Sequence, residues 1–202
     1  EGGIEIDLSK LIGAACDLVG PISTGKESAF ADSNELHTFV LDRLRGYFAD
    51  KGFSEQQFDA VNAVPHDSLP DFGKRLSAIA EFAKLPQAAA LAGANKRIGN
   101  ILKKSGSEAA ASVDPLLFQE TAERGLWTAL SQAEADMAPK LAARDYVGVL
   151  QALSGLREPV DAFFDGVMVN AADPKVRGNR LAMLRKLAGH FNAVGDISML
   201  AS

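Results

Sequence analysis

Two segments of the sequence are rich in lysine and arginine and contain no acidic residue. The first lies between Glu81 and Glu108, and the second runs from 174 to 195. Together they hold ten of the 21 cationic side chains, which leaves 11 cations against 26 acids, a net charge of −15, in the rest of the chain. A protein with a net charge of −5 needs such gathered cations to bind a phosphate backbone. The candidate binding residues are Asn95, Lys96, Arg97, Asn100, Lys103, Lys104, Lys175, Arg177, Asn179 and Arg180.

Each segment also has a simpler interpretation. A cationic run is often only the solvated face of a helix. In the second segment, Arg177 and Arg180 begin a predicted helix, whose N-terminal dipole favours anions, and arginine can bond base edges as well as phosphates. Alternatively, Arg180 or Asn179 satisfies buried polar groups between helices. We predict that Arg177 and Arg180 read bases and that Lys103 and Lys104 hold the backbone.

Catalytic arrangements are not supported by the rest of the sequence. The segment 20–26, GPISTGK, has the spacing of a phosphate-binding loop, but Glu27 stands where the pattern requires Ser or Thr. His66 and Asp67 suggest half of a metal site, yet the three histidines are too scarce to complete it, and a turn explains the pair. One cysteine excludes a disulfide framework. We therefore expect no catalytic residue and no metal site.

Three carboxylates on one predicted helix have acid–base spacing. Glu158, Asp161 and Asp165 flank Phe163 and Phe164. A solvated face opposite an apolar stripe explains them more simply than general acid–base chemistry.

Several short motifs carry a family resemblance. They are LDRLR at 41–45 with Phe48, ANKRI at 94–98, NILKK at 100–104, PVDAFFDGVMVN at 159–170, RGNRL at 177–181 and DIS at 196–198. In this order, over essentially the whole chain, the sequence resembles the C-terminal region of the β subunit of bacterial glycyl-tRNA synthetase. Gly99 and Gly178 depart from the pattern, because larger helix formers are expected there; either glycine would locally loosen its helix.

The resemblance implies an all-helical, DALR-like anticodon-binding module of the kind also found in arginyl-tRNA synthetase. The whole enzyme would attach glycine to tRNA(Gly) with ATP and Mg²⁺, in a heterotetramer with an α subunit. This chain would bind and position tRNA, with no catalysis and no cofactor of its own, and it would bind neither DNA nor a membrane. The alternative is a non-catalytic helical scaffold that mediates subunit contacts within the synthetase.

Periodicity predicts which elements position the candidate residues. Apolar side chains recur at helical spacing and no long strand alternation appears, so we expect an all-α bundle of seven to nine helices. Asp7 is predicted to cap a first helix, Ser54 a third and Asp173 the last, while Pro139 is expected to break or restart a helix.

The turn-rich stretch at 65–70 divides the chain into a helical segment, 1–69, and an anticodon-binding domain, 70–202. No apolar run is long enough to span a membrane and no signal peptide precedes the first helix, so we expect a soluble, cytoplasmic protein. The start at Glu1 is neither methionine nor a targeting segment. We therefore expect a piece of a longer protein.

Overall fold

The computed structural model describes residues 10, 11, 13, 14, 33–66, 68–106 and 108–201. The side chains of 33–37 are not described. Most of the predicted first helix, the loop-like segment 20–27 and Asp67 therefore lie outside the described residues. Within them the chain forms eight helices longer than one turn and no strand, which confirms the all-α prediction.

The helices follow one another with short connections. They are α1 (Ser33–Asp50), α2 (Glu55–Asn62), α3 (Leu69–Phe82), α4 (Ala88–Ser105), α5 (Thr121–Ala142), α6 (Tyr146–Ser154), α7 (Arg157–Gly166) and α8 (Pro174–Phe191). Two short 3₁₀ segments, Pro115–Leu117 and Ile197–Leu200, complete the description.

The local signals for helix starts have the expected geometry. Ser54 and Gln57 form a capping box at α2. Asp173 accepts hydrogen bonds from the backbone of Lys175 and Val176, and Pro174 follows as the first residue of α8. Since these bonds are made within four residues, the sequence pattern suffices to predict them.

Pro139 does not break its helix, contrary to the prediction. It lies inside α5, which continues to Ala142. Pro139 and Ala135, whose carbonyl loses its intrahelical donor there, are both exposed. Water can therefore satisfy that carbonyl, and the missing bond does not end the helix.

Helix α8 lies at the centre of the bundle. Ten of its 18 residues are buried, on nearly every side of the helix. It packs against α4, α5 and the segment Pro115–Leu117. A helix buried all round must place its polar residues against partners, which matters for the cations that it carries.

The N-terminal helices share the same hydrophobic core. Helix α2 packs on α3 and on the segment Ile197–Leu200, and Phe58 and Phe72 are buried in contact, with ring centroids 5.0 Å apart. The backbone N–H of Asp196 donates to the carbonyl of Ala60 at 2.7 Å. The proposed boundary between 69 and 70 falls in the first turn of α3. That division stays a prediction.

Candidate nucleic-acid interface

The first cationic segment forms helix α4, which buries one side. Leu91, Ala92 and Ile98 are fully buried. Asn95, which is 4 % exposed, lies on the same side and donates to Asn192 at 2.8 Å and to Asp196 at 3.2 Å. The amide of Asn95 is thus committed to a contact between α4 and the C-terminal end of α8.

The opposite side of α4 is a cationic surface. We call it the α4 face, and it consists of Lys96, Arg97, Asn100, Lys103 and Lys104, all exposed. Spacings of four, seven and eight residues place most of these side chains on one side of a helix. Within the part of the chain that the structure describes, none of the four cations lies within 4.0 Å of a carboxylate. The α4 face therefore keeps its positive charge available.

Arg97 is held in place by an aromatic ring. Its guanidinium lies 4.1 Å from the centroid of Phe164 on α7, and Phe164 packs edge-on against the buried Phe163. A guanidinium stacked on a ring keeps its N–H edges free to form a fork with phosphate or a base edge.

The second cationic segment differs, because most of the cations of α8 form ion pairs or hydrogen bonds with other parts of the protein. Arg177 pairs with Glu108 at 2.9 Å. Lys186 pairs with Glu134 at 2.7 Å, and its hydrogen bond lowers the pKa of that carboxyl despite partial burial. Arg185 donates to the carbonyls of Ala110 and Ala111.

Arg180 is the most deeply committed of these cations. It is 4 % exposed, and its Nε and Nη2 donate to the two carboxylate oxygens of Glu123 at 2.9 and 3.1 Å, while Nη1 donates to the carbonyl of Met168 at 2.8 Å. Glu123 is fully buried and also accepts from the backbone N–H groups of Gln119 and Glu120. Burial opposes ionisation of Glu123, but the hydrogen bonds from Arg180 and the backbone outweigh it and lower its pKa.

Asn179 also bonds within the protein. It is 1 % exposed; its amide nitrogen donates to the carbonyl of Asp114, and its oxygen accepts from the N–H of Asp114. For Asn179 and Arg180 the structure thus shows the second of the two interpretations left open by the sequence, since both satisfy buried groups between elements. Of the second segment, Lys175 alone among the described cations is exposed with neither an ion pair nor a hydrogen bond from its ammonium group.

Gly178 brings α8 and the connection after α4 together. A Cβ at Gly178 would lie 3.0 Å from the carbonyl oxygen of Glu108, and the N–H of Ala110 donates to the carbonyl of Gly178 at 2.9 Å. Gly178 thus permits a close approach of the connection to a continuous helix, and its loosening effect on that helix stays a prediction. Gly99 is different, since a Cβ there would meet nothing within 4 Å.

The antiparallel packing of α4 and α8 brings the two cationic segments together. Asn95 bonds to Asn192 near one end of the pair, whereas Glu108, just after α4, reaches Arg177 at the other end. The C-terminal end of α4, with Lys103 and Lys104, therefore lies at the same end of the bundle as the start of α8.

The sequence interpretation missed the acids that neutralise the second segment. Glu108, Glu123 and Glu134 form ion pairs with Arg177, Arg180 and Lys186, respectively. Glu123 and Arg180 are 57 residues apart, and Glu134 and Lys186 are 52 apart. No local pattern pairs residues at such separations.

The other candidate groups have ordinary surroundings. Glu158, Asp161 and Asp165 are exposed, as a solvated face requires, and Arg157 lies 3.6 Å from Asp161. The side chain of Met168 is 76 % exposed, while its carbonyl accepts a hydrogen bond from Arg180. Among the described residues no three His, Cys, Asp or Glu side chains cluster as metal ligands, and no helix is both long and apolar enough to cross a membrane.

Comparisons with known proteins agree with the resemblance seen in the sequence. The sequence profile of the DALR anticodon binding domain matches residues 91–196, which run from within α4 to the turn after α8. The glycine–tRNA ligase beta subunit of Xanthomonas campestris pv. campestris (strain B100) is 47 % identical over 207 residues, covering 100 % of this chain and 29 % of that protein. The corresponding subunits of Methylobacillus flagellatus and Pseudomonas aeruginosa (strain LESB58) are 52 % and 44 % identical over 83 % and 99 % of this chain, and the matches cover 24 % and 29 % of those proteins. The chain thus spans less than a third of the length of these relatives.

Proposed function

Because this chain belongs to the DALR anticodon binding domain family, we propose that it is the part of a glycine–tRNA ligase β subunit that binds tRNA(Gly) on the anticodon side. The observation that carries the proposal is the α4 face, on which Lys96, Arg97, Lys103 and Lys104 are exposed and pair with no carboxylate of the described residues, whereas Arg177, Arg180 and Lys186 of the second segment pair with acids. The names of the relatives supply the substrate class.

The chain's own contribution is positioning. The ammonium groups of Lys103 and Lys104 bind backbone phosphates, with Lys96 about two turns further along the same face. Arg97, oriented by Phe164, and the amide of Asn100 are placed to bond base edges of an unstacked strand. The proposed base contacts are therefore made by Arg97 and Asn100 of α4 and not by Arg180, which is buried.

The whole protein, in this proposal, is a ligase that joins glycine to tRNA(Gly) with ATP and Mg²⁺, acts with an α subunit in a heterotetramer and works in the cytoplasm. The proposal assigns no residue of this chain to binding ATP, Mg²⁺, glycine or the α subunit. A fragment with no catalytic constellation should show no glycine-dependent ATP–pyrophosphate exchange by itself.

The alternative of a helical scaffold is supported by exposed large apolar side chains, of which two are the most exposed among the described residues. Leu116 is 92 % exposed and Met168 is 76 % exposed, and both flank the N-terminal half of α8. Single exposed apolar residues are common on monomers, however, and two side chains do not make a large patch. The unpaired cations of α4 favour tRNA binding over the scaffold.

The deciding experiment is a tRNA(Gly) binding titration at several salt concentrations. The variant is Lys96→Gln/Lys103→Gln/Lys104→Gln, and the matched control is Lys74→Gln, at an exposed lysine of α3 outside the α4 face. Each lost phosphate contact should lower the slope of log affinity against log salt by about 0.7–0.9, so the triple variant should lose about two to three units of slope. Equal affinity and slope in the triple variant and the wild type would favour the scaffold.

A further inference from the structure

A concave surface lies beside α8. It is a cleft of about 330 Å³ between α5, α8 and the connection that follows α4. Its lining consists of Ser112, Val113, Trp127, Ala182, Arg185 and Lys186, with Ala111 at the rim. The volume is at the lower end of what small-molecule sites use, which suits one nucleobase better than a larger ligand.

One wall of the cleft is aromatic. Trp127 is half-buried, and Phe118 contacts it edge-on, with ring centroids 6.3 Å apart. Within the described residues the indole N–H of Trp127 makes no hydrogen bond. Trp127 therefore offers both a stacking surface and a free donor, the combination by which proteins hold unstacked bases.

Two cations border the same space. The ammonium of Lys186 lies 5.9 Å from the centroid of the Trp127 ring and is held there by Glu134. Arg185 donates through one nitrogen to the carbonyls of Ala110 and Ala111, and its other N–H groups have no partner in the described part of the chain. Arg185, which pairs with no carboxylate among the described residues, therefore supplies the uncompensated positive charge beside the stacking ring that a base with its phosphate attached requires.

The floor and rim of the cleft are fixed in advance. The connection that supplies Ser112 and Val113 is bonded to α8 on either side, through the N–H of Ala110 and through both backbone groups of Asp114. Because Gly178 lets this connection lie directly on α8, the cleft has a rigid wall. A preformed site loses less entropy on binding than one that must be ordered.

We propose that this cleft binds one unstacked base of the tRNA, stacked on Trp127, with Arg185 and Lys186 beside its phosphate. This inference rests on the proposed function and adds a base-binding site separate from the α4 face. The α4 face supplies grip along the strand, and the cleft accepts a single base.

The experiment uses the fluorescence of Trp127, the one tryptophan in the sequence. Titration of the chain with a short unstructured ribo-oligonucleotide should quench that fluorescence, whereas an abasic strand of the same length and charge should quench little even when its phosphates bind the α4 face. The variant Trp127→Ala should weaken tRNA(Gly) binding about 5- to 150-fold, measured by anisotropy of labelled tRNA, and Trp127→Phe should retain most of the affinity.

A second variant distinguishes loss of the cleft from loss of folding in Trp127→Ala. Ser112→Phe, at an exposed position of the rim, should fill the entrance and weaken binding while leaving the packed side chains in place. Normal tRNA binding without quenching would refute base binding in the cleft, and so would full affinity in Ser112→Phe and Trp127→Ala. Either result would leave the proposed function intact. If the wild-type chain bound no tRNA at any salt concentration, both the base-binding cleft and the proposed function would be refuted.

Discussion

Replacing Arg180 by methionine separates a structural role from a binding role at this position. Arg180→Met keeps an unbranched side chain but removes two hydrogen bonds to Glu123 and one to the carbonyl of Met168. Glu123, fully buried, would then keep only its two backbone donors. Breaking a buried ion pair by removing one partner costs about 3–5 kcal/mol. For a chain of this length that corresponds to a melting temperature lower by about 6–20 °C.

The measurement is urea or thermal unfolding of Arg180→Met, together with tRNA(Gly) affinity under conditions where the variant is folded. The control is Lys175→Gln on the same helix, where an exposed and unpaired lysine should leave the unfolding midpoint unchanged and reduce only the salt dependence of binding. If Arg180→Met unfolded at the wild-type midpoint and bound tRNA more weakly, then Arg180 would be a base-reading residue and the argument from the buried ion pair would be wrong.

Three further predictions concern Glu123, Gly178 and Gly99. Because the pKa of Glu123 is lowered in the folded protein, its ionised form stabilises the fold above the ordinary carboxyl pKa, and this stability is lost as pH falls through the lowered value. The free energy of unfolding of Glu123→Gln should therefore fall less between pH 5 and 2 than that of the wild type. Parallel pH curves for the two proteins would contradict this. Gly178→Ala should destabilise the protein by about 1–3 kcal/mol in urea unfolding, because its Cβ would press on the Glu108 carbonyl. Gly99→Ala, in open space on α4, should stabilise it by about 0.5–1 kcal/mol, and a loss of stability there would show that the glycine is needed for another reason.

The bundle itself was predictable because its signals are local. Ser54 and Asp173 cap the helices that they were predicted to cap, and the apolar stripe of α4 is the side that is buried. Such bonds and periodicities join residues within one or two turns, so a sequence contains all the information they need. The same holds for the exposed cations of α4, whose spacing alone sets them opposite the stripe.

The tertiary structure decided which cations remain free. Both cationic segments read alike in sequence, yet α4 lies at the surface of the bundle and α8 at its centre. In the centre, an unpaired charge would lose its hydration without compensation, so Arg180 takes Glu123, from a distant part of the chain, as its partner. Arg177, which is only partly buried, pairs with the exposed Glu108 at the surface. Trp127 likewise borders a cleft only because the connection after α4 crosses α8 beside it. Pairing at such separations depends on how helices dock, and docking is set by the summed burial of many side chains, which no single segment of sequence contains.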